Sequence, residues 1–144
     1  MTNLLLILLL VVGCEEDTQT NSNEDTETPS VIITSPADET TLDALTVIKI
    51  DAVDNKTISK VSLLINGDLF AETTTSPYEI EWDVCANEDG EYTLLAKAED
   101  NSGNIGQSEL LTMIIEDANY DCAEVCGGVE ELNDCGICGD GVDI

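Results

Sequence analysis

Six cysteines are the residues best placed to do chemistry in this chain, because the 144 residues include no histidine. They are Cys14, Cys85, Cys122, Cys126, Cys135 and Cys138. Without histidine, neither a Ser-His-Asp triad nor a Cys-His nucleophile can be assembled, and no histidine can bind zinc. Thiol chemistry and carboxylate chemistry, from 31 acidic residues, are what remain.

The last four cysteines are spaced C-x3-C-x8-C-x2-C between Cys122 and Cys138. Four thiolates at such a spacing could hold zinc tetrahedrally. In an oxidising compartment the same residues would instead form disulfides. The N-terminus predicts export, so we expect disulfides and no metal, with all three pairings of four cysteines left open.

Cys85 stands apart from this group. Either it is a free thiol buried near a strand end, or it pairs with a tail cysteine and leaves another cysteine unpaired. The tail segments 121–128 and 133–141 resemble a short Cys/Gly/Asp-rich repeat of extracellular proteins. That repeat would normally continue beyond Ile144, so we expect a truncated sequence that lacks a further partner cysteine.

Cys14 follows a run of nine apolar residues, Leu4–Val12. The run is too short to cross a bilayer, which takes about 20 residues, and fits a secretory signal. The motif Val11-Val12-Gly13-Cys14 resembles a bacterial lipobox, although no Lys or Arg precedes the run. The resemblance implies loss of residues 1–13 and acylation of Cys14 as a membrane anchor. The following Glu15-Glu16-Asp17 resembles an acidic surface-export tag, or is simply the start of a linker.

The formal net charge of −27 excludes some partners. With four Lys and no Arg, the chain cannot replace the counterions of nucleic acid. Calcium is the one cofactor that the acids leave open, at the oxygen-rich loops Asp100–Asn104 and Asp134–Asp143. No segment matches an EF-hand, and Asx turns explain the first loop equally well.

Three segments with different compositions follow the signal. Residues 14–30 are acidic and contain almost no apolar side chain, so they predict a disordered linker. Residues 117–144 form the Cys-rich tail. Between them, residues 31–116 alternate short β-rich runs with turn clusters such as Asn66-Gly67, a hairpin signal. We predict seven strands: Val31–Thr34, Leu45–Val53, Ile58–Asn66, Leu69–Thr74, Tyr78–Asp83, Glu91–Glu99 and Ser108–Glu116.

Apolar residues at every second position of these strands predict one buried face. The side chains expected inside are Ile48, Ile50, Ala52, Val61, Leu63, Ile65, Tyr78, Ile80, Trp82, Tyr92, Leu94, Ala96, Ala98, Leu111, Met113 and Ile115. Seven short strands without helical periodicity predict a seven-stranded antiparallel immunoglobulin-like sandwich.

The order of several motifs across residues 31–116 resembles a bacterial Ig-like domain. The resemblance rests on the opening Val31–Asp38, the segment Glu81-Trp82-Asp83 and the stretch Ala98–Asn104.

Asp89 and Tyr92 also fit a tyrosine corner, in which the tyrosine hydroxyl bonds to the backbone a few residues upstream. The alternative is that Tyr92 is an ordinary core tyrosine. Leu94 stands where antibody domains have their second inter-sheet cysteine, so packing must hold the sheets together.

The resemblance implies a non-catalytic surface module for adhesion or for binding an extracellular protein or glycan. The alternative is a structural spacer or the N-terminal piece of a larger surface protein. A carboxylate-based hydrolase is disfavoured because every loop is short and aromatic side chains are scarce, so we assign no catalytic residues. The expected location is a bacterial outer membrane or cell surface, reached through the lipid on Cys14.

Overall fold

The computed structural model describes residues 24–128 and shows an all-β domain, which confirms the predicted fold class. Nine strands and one short 3-10 helix lie in this part of the chain. The strands are β1 Ser30–Ser35, β2 Thr40–Leu42, β3 Thr46–Val53, β4 Ile58–Ile65, β5 Asp68–Thr73, β6 Tyr78–Trp82, β7 Gly90–Asp100, β8 Ile105–Gln107 and β9 Leu111–Ile115, and the 3-10 helix spans Val84–Ala86.

Two sheets form the sandwich. The smaller sheet has the order β1-β3-β6, and the larger has the order β2-β9-β7-β4-β5 with β8 paired to β7. All strand pairs are antiparallel except β2 with β9, which is parallel. The seven predicted strands pair only in the antiparallel sense, as expected, and the one parallel pair adds β2, which was not predicted, at an edge of the larger sheet.

The seven predicted strands all exist, and their ends lie within three residues of the prediction. The two strands that the sequence analysis missed, β2 and β8, have three residues each, which is too short to show a period of two. The largest boundary error is at Ser108. Its hydroxyl accepts a hydrogen bond from the Ala96 backbone N–H at 3.0 Å. At this position a side-chain hydrogen bond replaces the backbone hydrogen bond that a paired strand would make.

The core lies between the sheets, and the predicted inward faces are confirmed. Val61, Leu63, Leu94 and Met113 are completely buried, and Trp82 is 1% exposed. The Asn66-Gly67 pair turns β4 into β5 with positive φ at both residues, 52° and 86°, as the hairpin signal predicts.

The folded part begins before residue 31. Pro29 is buried, and a Cβ at Gly106 would lie 1.8 Å from the Pro29 carbonyl oxygen, so only glycine fits under this segment. Asp25 and Glu27 both accept hydrogen bonds from the Asn55 amide. The predicted disordered linker is therefore too long at its C-terminal end, because residues 24–30 find partners on the sandwich.

Residues 1–23, which include the signal and Cys14, lie outside the described residues, as do residues 129–144 with Cys135 and Cys138. In the part that the structure describes, no helix has the length and apolar character needed to cross a bilayer.

Candidate functional site

The two ends of the sandwich carry the polar chemistry of this chain. We call the end formed by residues 24–29, 54–57 and 100–104 the proximal end, because the chain enters the sandwich there. The opposite end, formed by residues 83–90 and 116–128, is the distal end. Strand β7 connects the two, since it starts at Gly90 and finishes at Asp100.

A disulfide joins Cys85 and Cys126 at the distal end, with a Cα–Cα distance of 5.6 Å. Cys85 lies in the 3-10 helix, whose N-cap Asp83 accepts a hydrogen bond from the Cys85 N–H. This resolves the alternatives for Cys85, which is paired with a tail cysteine. Because Cys126 is oxidised, it cannot serve as a thiolate in a four-cysteine zinc site. Cys122 is disulfide-bonded as well.

The first residues of the tail pack on the sandwich around this disulfide. Ala118 belongs to the buried core, and Tyr120 pairs with Cys126 in an isolated β-bridge. The Tyr120 hydroxyl donates a hydrogen bond to the Asp83 carboxylate at 2.5 Å. That bond to Asp83, with partial burial, raises the pKa of Tyr120. Residues 117–128 are thus a continuation of the folded domain.

Tyr92, near the start of β7, links two neighbouring elements at the distal end. Its hydroxyl donates a hydrogen bond to the Glu88 carbonyl oxygen at 2.9 Å, which is the contact that a tyrosine corner makes. Its ring meets Trp82 edge-on, with the ring centroids 5.6 Å apart. Asp89, the other residue of the predicted pair, is exposed.

A shallow groove of about 260 Å³ opens next to these rings. Trp82, Tyr92 and Asn87 form one wall, and the Trp82 indole N–H is bonded to the Asn87 amide oxygen. Leu69 and Phe70 of β5 form the other wall and are 60% and 44% exposed. The groove therefore combines an exposed apolar edge with aromatic rings.

Three carboxylates converge at the proximal end. One oxygen from each of Asp25, Asp54 and Asp100 lies within 4.8 Å of the other two. Of these three, the sequence pattern indicates only Asp100, in its loop 100–104. It missed Asp25 and Asp54 because a linker and a turn separate them from that loop along the chain, and no local pattern links the three.

Asp100 is 2% exposed and organises the loop after β7. Burial disfavours its charged form, but hydrogen bonds from the Asn104 amide and from the backbone N–H groups of Asn104, Ser102 and Gly103 outweigh burial, so the pKa of Asp100 is lowered. The Asn104 amide also bonds to the Asp25 carbonyl oxygen at 3.0 Å. This Asx-type loop therefore holds the incoming segment as well as its own turn.

Comparison with known proteins identifies similar sequences and folds. Residues 29–105 match the family profile described as bacterial Ig domain. The chain is similar to the fibronectin(III)-like modules of CbhA from Clostridium thermocellum, with a TM-score of 0.57 and 22% identity, covering 61% of this chain and 97% of that one. No curated protein matches the sequence.

It is also similar to an endo-β-1,4-mannanase from Thermotoga petrophila, with a TM-score of 0.54 and 16% identity, over 67% of this chain but only 22% of the mannanase. At these identities the two structures support the fold alone.

The distal disulfide should contribute strongly to stability. It closes a loop with a sequence separation of 41, for which loop entropy predicts about 4 kcal/mol. Replacing Cys85 by Ser and Cys126 by Ala should lower the free energy of unfolding in urea by about 2–4 kcal/mol. Non-reducing peptide mapping of the unmodified chain provides the check on pairing, since Cys85 recovered as a free thiol would contradict this assignment.

Ionised Asp100 should stabilise the fold, since its pKa is lower in the folded state than in the unfolded chain. The contribution is complete above the unfolded pKa of about 3.9 and disappears as the pH falls through the lower folded value. Asp100→Asn turns one acceptor of this loop into a donor that faces the Asn104 amide. It should lower Tm at neutral pH in buffer free of divalent cations.

The difference in Tm between Asp100→Asn and the unmodified chain should shrink in strong acid. Asp51, which is exposed on β3, provides the matched control. Asp51→Asn should leave the pH dependence of Tm unchanged. A Tm difference for Asp100→Asn that persists undiminished at low pH would show that ionisation of this carboxyl is not the cause.

Proposed function

This chain belongs to the bacterial Ig domain family, and from that membership we propose that it is a non-catalytic surface module that holds its C-terminal segment away from the cell envelope. The observation that carries the proposal is that the chain enters the sandwich at one end and leaves it at the other. Ser30 at the start of β1 pairs with Val53, at the proximal end, and Ile115 at the end of β9 pairs with Gly90, at the distal end.

The distance between these ends follows from β7. Its 11 residues span about 35 Å at roughly 3.3 Å per residue. Because the chain enters the module at one end and leaves it at the other, the module separates the segments on either side of it by its full length. The Cys85–Cys126 disulfide and the Tyr120–Asp83 bond keep the departing segment on the distal end, so its direction is defined.

The tether in this proposal is the acylated Cys14, which lies on the chain ahead of the proximal end. Several acyl chains on one residue would anchor the protein stably, because one chain alone binds membranes only marginally. The module would then stand on a bacterial outer membrane or cell surface, with its distal end outermost. Its charge of −27 supports an exposed position and disfavours nucleic acid as a partner.

A role without catalysis is supported by the state of the carboxylates. Hydrolysis by paired carboxylates needs both groups open to a substrate. In the converging group at the proximal end, Asp100 is almost completely buried and committed to its own loop. The groove beside Trp82 exposes the apolar side chains of Leu69 and Phe70, which suit contact with a partner better than acid–base chemistry.

Surface display can be tested with an epitope tag after Ile144, expressed in a bacterium that displays lipoproteins on its outer surface. Antibody should label intact cells, and the chain should fractionate with membranes. Cys14→Ala should move the chain to the soluble fraction, because the acylated thiol is lost, while Cys85→Ser serves as the cysteine control and should stay with membranes. A wild-type chain recovered mainly in the soluble fraction would contradict the anchor.

Adhesion or partner binding is the second candidate, and the exposed Leu69 and Phe70 favour it. They lie on β5, an edge strand of the larger sheet, where free backbone groups can pair with a partner. In a screen of glycans and host proteins, Phe70→Ala should weaken any binding by about tenfold or more. Ile105→Ala, at an apolar side chain 51% exposed on β8, should not. Absence of any binding would favour the spacer alone.

A further inference from the structure

We propose that Asp25, Asp54 and Asp100 form a Ca²⁺ site at the proximal end, which fastens the segment before β1 to the sandwich. The site goes beyond the role as a surface module and does not depend on it. It brings together three parts of the chain: the incoming segment, the connection between β3 and β4, and the loop after β7. One carboxylate oxygen from each residue lies within 4.8 Å of the others.

Two carboxylate oxygens in this cluster are buried and have no hydrogen-bond partner. They are Oδ2 of Asp25 and Oδ1 of Asp54. The other oxygen of each group is used locally: Oδ1 of Asp25 accepts from the Asn55 amide and the Glu27 N–H, and Oδ2 of Asp54 accepts from the Lys56 N–H. Buried unpartnered carboxylate oxygens are costly, so their occurrence in two of three converging groups points to a missing positive ligand.

Asp100 keeps coordinating capacity despite its hydrogen bonds. Its Oδ1 accepts two backbone N–H groups, from Ser102 and Asn104, its Oδ2 accepts the Asn104 amide, and the Gly103 N–H makes the smallest of these contacts. Since a carboxylate offers about four lone-pair positions, one on Oδ2 remains. The cluster can therefore supply an oxygen from each of the three residues without breaking the loop.

Within residues 24–128, no Lys side chain forms an ion pair with these carboxylates. The ion pairs among residues 24–128 use Lys49 with Glu79, and Lys60 with Glu72 and Glu99. Lys56 follows Asp54 directly, but it is exposed and contributes its backbone N–H to the cluster. Asp25 and Asp54 are half-buried and Asp100 is buried, and a divalent cation between them would offset the like charges of the three carboxylates.

The chemistry of the donors selects Ca²⁺. All are oxygens, which suits hard cations and excludes metals that prefer sulfur or nitrogen. Two oxygens on one Ca²⁺ can be at most about 4.6–5.2 Å apart, twice the usual bond length, so a cluster held within 4.8 Å fits. Mg²⁺ would require all separations below about 4.2 Å and gives up its water reluctantly. Water would complete the Ca²⁺ shell, with an affinity of about 10⁻⁴–10⁻³ M, as in extracellular modules.

The proposal is tested on the full purified chain, by its Tm and by calorimetric titration with CaCl₂ in about 0.1 M NaCl, which screens general charge effects. Adding about 5 mM Ca²⁺ in place of chelator should raise Tm by about 5 °C or more. The same concentration of Mg²⁺ should raise it less. Asp54→Asn and, separately, Asp25→Asn should abolish the Ca²⁺-dependent shift and remove one bound Ca²⁺ per chain from the titration.

Asp51→Asn is the matched control, because it removes the same charge from an exposed position on β3. It should retain the full Ca²⁺-dependent shift. Asp25 lies outside every strand, so its variant still reports on the site if Asp54→Asn fails to fold. No shift in the unmodified chain, or equal shifts in the unmodified chain and the Asp25→Asn variant, would overturn the proposal.

Discussion

Closure of two sheets over one apolar layer is the constraint on which this structure depends. Trp82 from the smaller sheet and Leu63, Leu94, Met113 and Ile115 from the larger are at most 1% exposed. None of the nine strands contains a cysteine, so burial of this layer is the main term that holds the two sheets together. The alternation of inward and outward side chains also fixes the strand register, because a slip by one residue would turn each apolar row toward water.

A closed sandwich leaves its two ends without a core, and this chain secures each end in a different way. At the distal end, the Cys85–Cys126 disulfide and the buried Ala118 hold the departing segment. At the proximal end, the loop organised by Asp100 and Asn104 receives the incoming segment, where Asp25 sits. These polar and covalent contacts set the direction in which the chain enters and leaves, which is the property that a surface tether requires.

The acidic composition acts differently at the surface and in the interior. On the outer faces of the sheets, Lys60 bridges Glu72 and Glu99, which raises the pKa of Lys60 and lowers that of Glu72, and solvent screens the remaining charge. Asp100 at the proximal end is buried, and hydrogen bonds from amides and backbone groups stabilise its charge in place of solvent. A chain with four Lys and no Arg has few cations of its own to place there, which is why an external cation is the natural complement.

The sequence alone was sufficient for the class of fold, the seven longer strands, the Asn66-Gly67 hairpin and the inward rows, because these depend on periodicity and turn chemistry that are local in the chain. It could not reveal the three-residue strands β2 and β8, or the parallel pairing of β2 with β9, because such short pieces are selected only by the neighbour they meet. The choice of Cys126 as the partner of Cys85, and the meeting of Asp25 and Asp54 with Asp100, were decided by the tertiary structure. Each joins residues far apart in sequence, and only the folding of the sandwich brings their side chains together.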